Sequence, residues 1–474
     1  MTFNSLTFVI FLLAVLGLHN LPLSWRTKKF NLLWASYLFY AAWNPPFVIL
    51  LWISTVVDWY VSRWIANATG PWRRRVLLTA SLATNLGMLG IFKYGNFLLD
   101  NFTDMMQLAG VDLQPAPMDI VLPVGISFYT FQTLSYTMDV YLKKMKPWDS
   151  FLDYAMYVTF FPQLVAGPIV RAADFLPQCH EVRRTTSSRL GWGLTLLTLG
   201  LFEKVVVADG LMAPITEAMF DAQGEPNFVD AWCGTFAFAG QVFCDFAGYS
   251  TCAIGVAMAL GFAIPDNFRF PYAAIGFTDF WQRWHISLSS WLRDYLYIPL
   301  GGNRRGSIRT YVNLMGTMLL GGLWHGASWT FVAWGGLHGA YLVGERLTKR
   351  LVKDSRFVQW GVVRFAAGIG TFLLVCVSYV FFRSDRFDRA FGTIGSMLGR
   401  YPHDQRPLLS DAQVATALIV TVLMLTVHWL MRGHNLEAVA QKCPAWIRVL
   451  VIAVMLVAIV TMPGEDRAFI YFQF

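Results

Sequence analysis

Two histidines lie in stretches of the sequence that offer little other polar chemistry. His325 stands in Gly322-Leu-Trp-His-Gly326, in a segment with no charged residue between Arg309 and Glu345. Burial lowers the pKa of an imidazole from its reference value of about 6.5, which leaves a neutral ring able to accept a proton at cytoplasmic pH. A general base needs that property, and the flanking glycines permit close approach of a substrate. The same pattern also suits a histidine that packs two helices together.

The second histidine, His285, lies within a tryptophan-rich segment. At about 100° per residue, residues 279–299 predict one amphipathic helix with its tryptophans on one face. His285 falls near Leu292 at the edge of that face and is expected to point into the protein or the membrane boundary. It suits either a functional ring or an anchor bonded to a backbone carbonyl. His338, in Gly335-Gly-Leu-His-Gly339, is predicted to be structural.

Basic residues surround this segment. Arg283, Arg293 and the turn Leu300-Gly-Gly-Asn-Arg-Arg-Gly306, with its Asn303 and Arg304, suit the binding of anionic phosphates of a donor from the cytoplasmic side. Such a cluster also serves simply to fix membrane topology.

Two further residues complete the candidate donor-binding set. Asp245 stands in the middle of a long apolar run over residues 229–264, which is interrupted by Asp245 and by Gly248-Tyr-Ser250. An isolated carboxylate at membrane depth is costly, so Asp245 is expected to have a hydrogen-bond partner or to line an aqueous funnel. Trp324, next to His325, is the other candidate.

These residues belong to a chain with the composition of an integral membrane protein. Apolar residues make up 56% of its 474 residues and charged residues 14%, and the mean hydropathy is +0.47. Since a span needs roughly 20 apolar residues, about ten to twelve spanning or re-entrant helices are predicted. The fold class is therefore all-α and polytopic. Without a linker or repeat, residues 1–474 are predicted to form one domain with its catalytic region at about 279–339.

The positive charges indicate topology and not nucleic-acid binding. Lys and Arg occur in short clusters between apolar runs, and the clusters at residues 26–29, 73–75 and 143–146 fall on one side of the membrane under a single arrangement of spans. Positive clusters are retained in the cytoplasm, so the N-terminus is predicted to be periplasmic. Residues 5–23 are predicted to be a retained first span.

Several catalytic motifs are absent from the sequence. It contains no G-x-x-x-x-G-K-[ST] phosphate loop and no His-Glu-x-x-His zinc helix, and its six cysteines lack metal-ligand spacing. These absences argue against an ATP-driven or metal-dependent enzyme, and we expect no bound cofactor or metal.

Long motifs in the chain resemble one family. The segment from Trp281-Gln-Arg-Trp-His-Ile to Leu300-Gly-Gly-Asn-Arg304, followed by Gly322-Leu-Trp-His-Gly326, is similar to the membrane-bound O-acyltransferases and, among them, to the bacterial alginate O-acetyltransferase branch. Four other motifs also resemble that branch: Val121-Leu-Pro-Val-Gly-Ile-Ser-Phe-Tyr-Thr-Phe-Gln132, Phe161-Pro-Gln-Leu-Val-Ala-Gly-Pro168, Asp245-Phe-Ala-Gly-Tyr-Ser250 and Tyr471-Phe-Gln-Phe474. One departure is Cys244, where relatives often carry an aromatic residue.

The resemblance implies a ring of helices around a thin central funnel, in which a cytoplasmic acyl donor meets an acceptor hydroxyl from the other side. It also implies that His325 is the catalytic histidine and that His285 is the second position often implicated. Partners of this kind of protein are periplasmic acetyltransferases or exopolysaccharide-synthesis proteins, in addition to membrane lipid.

The expected function is therefore transfer of acetyl from acetyl-CoA or another thioester across the bacterial inner membrane, onto an exported polysaccharide of the alginate or cellulose type. His325 would be the general base toward a sugar hydroxyl, or would pass the acetyl group to a partner protein. The alternatives are a non-enzymatic transporter or polysaccharide-export subunit, and a transferase for another acyl group such as D-alanyl.

Overall fold

The computed structural model describes residues 1–351, 360–400, 407–462, 467, 469 and 470. Within these residues the secondary structure is helical and contains no strand, so the all-α prediction is confirmed. The motif Tyr471-Phe-Gln-Phe474 lies outside the described residues.

The chain divides into two compact units. The first comprises residues 1–197 and 252–265, and the second comprises residues 198–251 and 266–474. One acyltransferase domain over residues 1–474 stays a prediction. The first unit contains most of the helices up to α9: α1 (Leu6–Asn20), α2 (Trp25–Ala41), α3 (Val48–Asn67), α4 (Pro71–Leu108), α5 (Ile126–Tyr141), α6 (Phe151–Thr159), α7 (Phe161–Leu164), α8 (Ala172–Phe175) and α9 (Ser187–Leu201).

A buried polar network joins three helices of the first unit. Ser54 Oγ of α3 donates to Asn85 Oδ1 of α4 at 2.6 Å, and Asn85 Nδ2 donates to Asp58 Oδ2 at 2.9 Å. Thr133 of α5 lies 3.0 Å from the Ser54 hydroxyl. Because buried polar groups are costly without partners, this network fixes the mutual register of α3, α4 and α5.

The second unit begins with a π-helix at Phe202–Met212 and contains the helices on which the candidate histidines lie. Its helices are α10 (Ala213–Phe220), α11 (Phe228–Ala259) up to residue 251, α12 (Phe277–Trp281), α13 (Ile286–Leu292), α14 (Ser307–His325), α15 (Trp329–Leu351), α16 (Gly361–Arg383), α17 (Phe387–Met397), α18 (Asp411–Met431), α19 (Leu436–Lys442) and α20 (Ala445–Thr461).

The described part of the chain contains five helices that are long and apolar enough to cross a membrane: Pro45–Asn67, Pro71–Leu108, Phe228–Ala259, Gly361–Arg383 and Asp411–Met431. Two shorter apolar helices are Leu6–Asn20 and Ala445–Thr461. The protein is thus a multi-pass membrane protein, as predicted. These helices are fewer than the ten to twelve expected because several predicted segments fold as shorter or interrupted helices, as residues 151–166 do.

Helix α11 runs through Asp245 and Gly248 without interruption, although both residues interrupt the apolar run over residues 229–264. The carboxylate of Asp245 is paired with Lys204 and also accepts from the Ile470 backbone N–H at 2.8 Å. Gly248 serves packing, since a Cβ there would lie 2.6 Å from the Gly200 carbonyl oxygen. The expectation that Asp245 has a hydrogen-bond partner is met by this arrangement.

The single amphipathic helix predicted over residues 279–299 is wrong. Helix α12 ends at Trp281, His285 adopts a left-handed backbone with φ of 43°, α13 begins at Ile286, and a π-helix follows at Arg293–Tyr297. The regular 100° spacing therefore does not continue through His285. The physical reason lies in the hydrogen bonds that hold this break, described below.

Candidate active site

Helices α14 and α15 form a hairpin that positions His325. The two helices touch at backbone level: a Cβ on Gly322 would lie 2.3 Å from the Phe331 carbonyl oxygen, and one on Gly335 would lie 2.2 Å from the Met318 carbonyl oxygen. Small residues at such a crossing are the usual means of close helix packing in membranes. Helix α14 ends at His325, so the imidazole lies where regular helix stops.

The His325 side chain is enclosed by aromatic rings. Only 1% of the residue is exposed. Its ring centroid lies 5.1 Å from that of Trp324, 5.0 Å from that of Trp334 and 5.6 Å from that of Phe382, each at a steep angle. Rings in this arrangement exclude bulk water from the imidazole without replacing its proton-accepting chemistry.

His285 is the second imidazole of the site. Its ring centroid lies 6.1 Å from that of His325, and the Trp324 ring lies 5.9 Å from His285 and so contacts both histidines. The structure thus brings together three predicted site residues, His285, Trp324 and His325, although 40 positions separate the histidines along the chain.

The backbone at His285 is held in a strained conformation. A residue other than glycine in the left-handed region costs about 1–3 kcal/mol and persists only where its surroundings impose it. Hydrogen bonds to Asn267 impose this conformation. The Asn267 backbone oxygen accepts from the Ile286 N–H at 2.9 Å. Its side-chain Oδ1 accepts from the Ser287 N–H at 3.2 Å and from the Ser287 hydroxyl at 2.9 Å. Asn267 therefore determines where α13 begins.

The same amide determines the tautomer of His285. Burial lowers the pKa of His285, which lies outside the candidate membrane-spanning helices, to about 3, so the ring is neutral. The Ser287 backbone N–H can only donate, so the Asn267 atom that it contacts is the oxygen. His285 Nδ1, 3.2 Å from that oxygen, therefore carries the proton, and Nε2 carries the lone pair. The second imidazole thus offers a basic nitrogen at a defined ring position.

Sequence reasoning missed Asn267. It lies in a loop 18 residues before His285, and no spacing rule links an asparagine to a histidine at that distance. Its only signal is its residue type, since a short amide side chain readily bonds to nearby backbone N–H groups.

His338 has a different environment from the other two histidines. It is fully buried in α15, and its Nε2 lies 3.0 Å from the Ser378 hydroxyl of α16. Its ring stacks on Phe280 at 5.9 Å and meets Trp334 at 4.8 Å. These contacts link α12, α15 and α16, in agreement with the structural role predicted from the sequence.

Arg283 belongs to a compact ionic cluster. Its Nε donates to Asp279 Oδ1 at 2.8 Å, and Asp279 Oδ2 accepts from Arg432 at 2.6 Å and from the Ile275 N–H at 2.9 Å. Burial raises the pKa of Asp279, but the bonds from Ile275, Arg283 and Arg432 outweigh it and hold that pKa below its usual value. Arg283 thus fastens α12 to the end of α18.

The remaining basic candidates lie at the surface. Arg293 pairs with its neighbour Asp294 at 2.8 Å, and Asn303 and Arg304 are exposed on the turn before α14. These three residues are exposed, whereas His285 and His325 are buried. Their role in donor binding stays a prediction.

Asp245 belongs to a buried ionic cluster next to the site. Its carboxylate pairs with Lys204, whose ammonium group also donates to Asp209 Oδ1 at 2.9 Å. The residue after Asp245 is Phe246, whose ring meets His285 edge-on at 4.7 Å. The buried charges therefore fix the part of α11 that packs on His285. Among the described residues, no group of three or more His, Cys, Asp or Glu side chains is arranged to hold a metal ion.

Comparison with known proteins decides the family. The model of the membrane-bound O-acyltransferase family matches residues 143–383, about half of the chain, including both histidines of the site. Over the whole of both chains, the protein is 37% identical to the probable alginate O-acetylase AlgI of Pseudomonas putida. The chain belongs to the membrane-bound O-acyltransferase family. It is therefore an enzyme, an O-acyltransferase, and the alternative of a non-enzymatic transporter or export subunit is wrong.

Two other relatives of this O-acyltransferase differ in what their names say they modify. The chain is 35% identical to the peptidoglycan O-acetyltransferase of Helicobacter pylori, over 84% of this chain and 80% of that protein. It is 26% identical to the teichoic acid D-alanyltransferase of Streptococcus thermophilus, over 52% of this chain and 63% of that protein.

Proposed function

We propose that this O-acyltransferase transfers an acetyl group from a cytoplasmic thioester, acetyl-CoA or an equivalent, across the bacterial inner membrane for O-acetylation of an exported polysaccharide. The observation that carries the proposal is the pairing of two buried imidazoles at the break before α13 and at the end of α14, 6.1 Å apart. Acyl transfer to a hydroxyl needs a base that removes the hydroxyl proton, in a site with little water.

In the proposed mechanism His325 accepts the proton of the acceptor hydroxyl as the hydroxyl oxygen attacks the thioester carbonyl. A carbon–oxygen bond forms, the carbon–sulfur bond breaks, and the thiolate leaves with the proton from His325 to give the free thiol. His285, held as the Nδ1–H tautomer by Asn267, presents Nε2 to the same site and orients a hydroxyl or the His325 ring. The aromatic rings around His325 limit hydrolysis of the thioester by water.

The relatives support acetyl over D-alanyl as the group transferred. Identity is 37% over the whole chain to a probable alginate O-acetylase but 26% over about half of it to a D-alanyltransferase. We propose that the acceptor is an exported polysaccharide such as alginate or cellulose; the peptidoglycan O-acetyltransferase relative adds another cell-surface glycan to the classes that merit testing.

The proposal includes direction and partners. The N-terminus is placed in the periplasm, so that the basic clusters at residues 26–29, 73–75 and 143–146 face the cytoplasm and the thioester. A periplasmic acetyltransferase or exopolysaccharide-synthesis protein then completes delivery to the sugar, either after direct transfer or through an acetylated partner.

The test uses purified protein in proteoliposomes, with acetyl-labelled CoA on the cytoplasmic face and a polysaccharide acceptor, with or without its periplasmic partner, on the other. We expect labelled acetyl to appear on the acceptor side with wild-type protein and to be lost with His325→Ala. D-Alanyl thioester serves as the matched donor control. Full activity of His325→Ala, or transfer of D-alanyl in preference to acetyl, would refute the proposal.

A further inference from the structure

A polar cavity of about 430 Å³ lies in the second unit, where the loop after α10 meets the end of α16 and the start of α17. Its size is in the range of about 300–1,000 Å³ that small-molecule sites occupy. Its charged lining consists of four carboxylates and two guanidinium groups: Asp221, Glu225, Asp385, Asp388, Arg383 and Arg389. None of these side chains belongs to the histidine site.

The cavity also contains a buried hydroxyl that lacks a protein partner. Ser384, the residue after α16, lines the cavity and is 7% exposed. Its Oγ has no hydrogen-bond partner among the residues that the structure describes. Buried hydroxyl groups are nearly always hydrogen-bonded, so this position suits a ligand that supplies the missing bond.

Aromatic rings link the cavity lining to the histidine site. Phe382, which packs on the His325 ring at 5.6 Å, directly precedes the cavity residues Arg383 and Ser384. Phe220 lines the cavity, and the Phe238 ring, 6.0 Å from it, lies 6.1 Å from Phe382. A ligand in the cavity would therefore lie next to the residues that enclose the candidate base.

The cavity lies at one end of the helices of this unit. At the opposite end, Arg432 at the end of α18 bonds to Asp279 at 2.6 Å, and Thr371 in the first half of α16 accepts from the Gly276 N–H at 2.9 Å. Arg383, which closes α16 at the cavity, is thus at the far end of that helix from α12.

Positive charge concentrates at the α12 end. Glu345, near the end of α15, accepts from the Thr278 N–H at 2.8 Å, so the last turn of α15 lies at the α12 end. The turn before α14, the first turn of α14 and the end of α15 together carry six basic residues: Arg304, Arg305, Arg309, Arg346, Lys349 and Arg350. Under the positive-inside rule that end is cytoplasmic, and the cavity opens on the acceptor side of the membrane.

We propose that this cavity binds a saccharide unit of the acceptor that carries no net negative charge. This inference rests on the proposed function and narrows its acceptor class. Sugar hydroxyls donate to carboxylates and accept from guanidinium groups, so the lining matches their chemistry. Two of the carboxylates are ion-paired, Asp221 with Arg383 at 2.6 Å and Asp388 with Arg386 at 2.8 Å. The carboxylates of Glu225 and Asp385 and the guanidinium of Arg389 remain, so the cavity with its paired groups has a net charge of one negative unit, which disfavours a uronate ring.

The test measures binding of oligosaccharides to full-length protein in lipid nanodiscs without an acyl donor, by titration calorimetry at low ionic strength. We expect saturable binding of cellohexaose and binding of hexamannuronate that is at least about tenfold weaker, since like charges disfavour the wrong partner. Asp385→Asn should weaken cellohexaose binding and reduce the difference in affinity between cellohexaose and hexamannuronate. Ser384→Phe, which fills the cavity, should abolish binding in protein that unfolds at the wild-type temperature.

The control is Asp411→Asn, an exposed aspartate at the start of α18 that lies outside the cavity lining, and it should bind as wild type does. Absence of saturable cellohexaose binding, equal or tighter binding of hexamannuronate, or tighter binding of a lysine-rich peptide would overturn the inference. His325→Ala should bind cellohexaose as wild type does. In the wild-type protein, acetyl transfer without cellohexaose binding refutes only the cavity site, whereas intact acetyl transfer in His325→Ala refutes only the proposed function.

Discussion

His325 and His338 lie on the two arms of one helical hairpin, share Trp334 as a neighbour and are both almost completely buried, yet their surroundings differ. His338 lies within α15 and bonds to Ser378, which fixes its ring between three helices. His325 ends α14, where the helix gives way to extended chain at Gly326, and faces a second imidazole. Burial alone therefore does not distinguish a candidate base from a structural histidine, whereas position at a helix end beside His285 does.

The largest effect is expected for His325→Gln, which keeps a polar side chain but removes the basic nitrogen. General acid–base catalysis contributes about 10²–10⁴-fold to rate, so the initial rate of acetyl transfer in proteoliposomes should fall by that factor. The thermal unfolding temperature should change little. A rate within about threefold of wild type would show that His325 does not act as the base and so does not differ from His338 in its effect on the rate.

Asn267→Ala is expected to have the next largest effect, because it removes the acceptor that holds the tautomer of His285. Loss of a hydrogen-bond partner that orients a metal-ligating histidine costs about 10–100-fold in activity, and we expect an effect of that order here. The measurement is the initial rate of acetyl transfer at saturating donor and acceptor, so that a fall in kcat is separated from a change in KM.

Asn267→Asp is the matched variant, since a carboxylate still accepts from His285 Nδ1–H and from the Ser287 N–H. We expect it to retain more activity than Asn267→Ala. The added negative charge raises the pKa of His285, so the acidic limb of its pH–rate profile should move to higher pH. Equal losses in both variants with unshifted profiles would show that Asn267 acts only by maintaining the fold.

Asp279→Asn tests whether the ionic cluster of α12 stabilises the packing around His338, because the Phe280 ring of α12 stacks on the His338 ring. The pKa of Asp279 is lowered in the folded protein, so its stabilising contribution is present above the unfolded value of about 3.9 and is lost as pH falls through the folded value. We expect lower thermal stability at neutral pH, a flatter decline toward acid, and a modest change in rate. An unchanged stability profile would show that the Arg283 and Arg432 bonds are not stabilising.

The smallest effect on activity is expected for His338→Gln. The substitution can keep a hydrogen bond to Ser378 but alters packing on Trp334, so the rate should stay within about threefold while stability falls by about 1–3 kcal/mol, the usual effect of disturbing a buried hydrogen bond. Ser378→Ala, which removes only the partner hydroxyl, should show the same pattern. A loss of rate equal to that of His325→Gln would make both histidines part of the chemistry.

The helical membrane class and the segment that contains the site could be predicted from the sequence, because hydropathy and the uncharged stretch around His325 are local properties. The proximity of His285, Trp324 and His325 was not available from spacing, since it depends on the left-handed break at His285. That break in turn depends on Asn267, a contact between loop residues that no helical periodicity encodes.

The ion-pair partners of buried charged residues could not be predicted from the sequence either. The sequence indicates that Asp245 needs a partner, but Lys204 lies 41 positions earlier in the chain and becomes its partner only when the π-helix packs on α11. The same holds for Ser384, which lines one cavity with Asp221 and Glu225 although both stand more than 150 positions earlier in the chain. Such groups meet through tertiary packing, which a single sequence does not reveal.

The most direct test of the account is the paired initial rate of acetyl transfer by His325→Gln and His338→Gln in proteoliposomes, at equal amounts of folded protein and relative to wild type. The account predicts that the His325→Gln rate is at least about thirtyfold below the His338→Gln rate. Equal rates for the two variants, or the greater loss in His338→Gln, would contradict the assignment of His325 as the base.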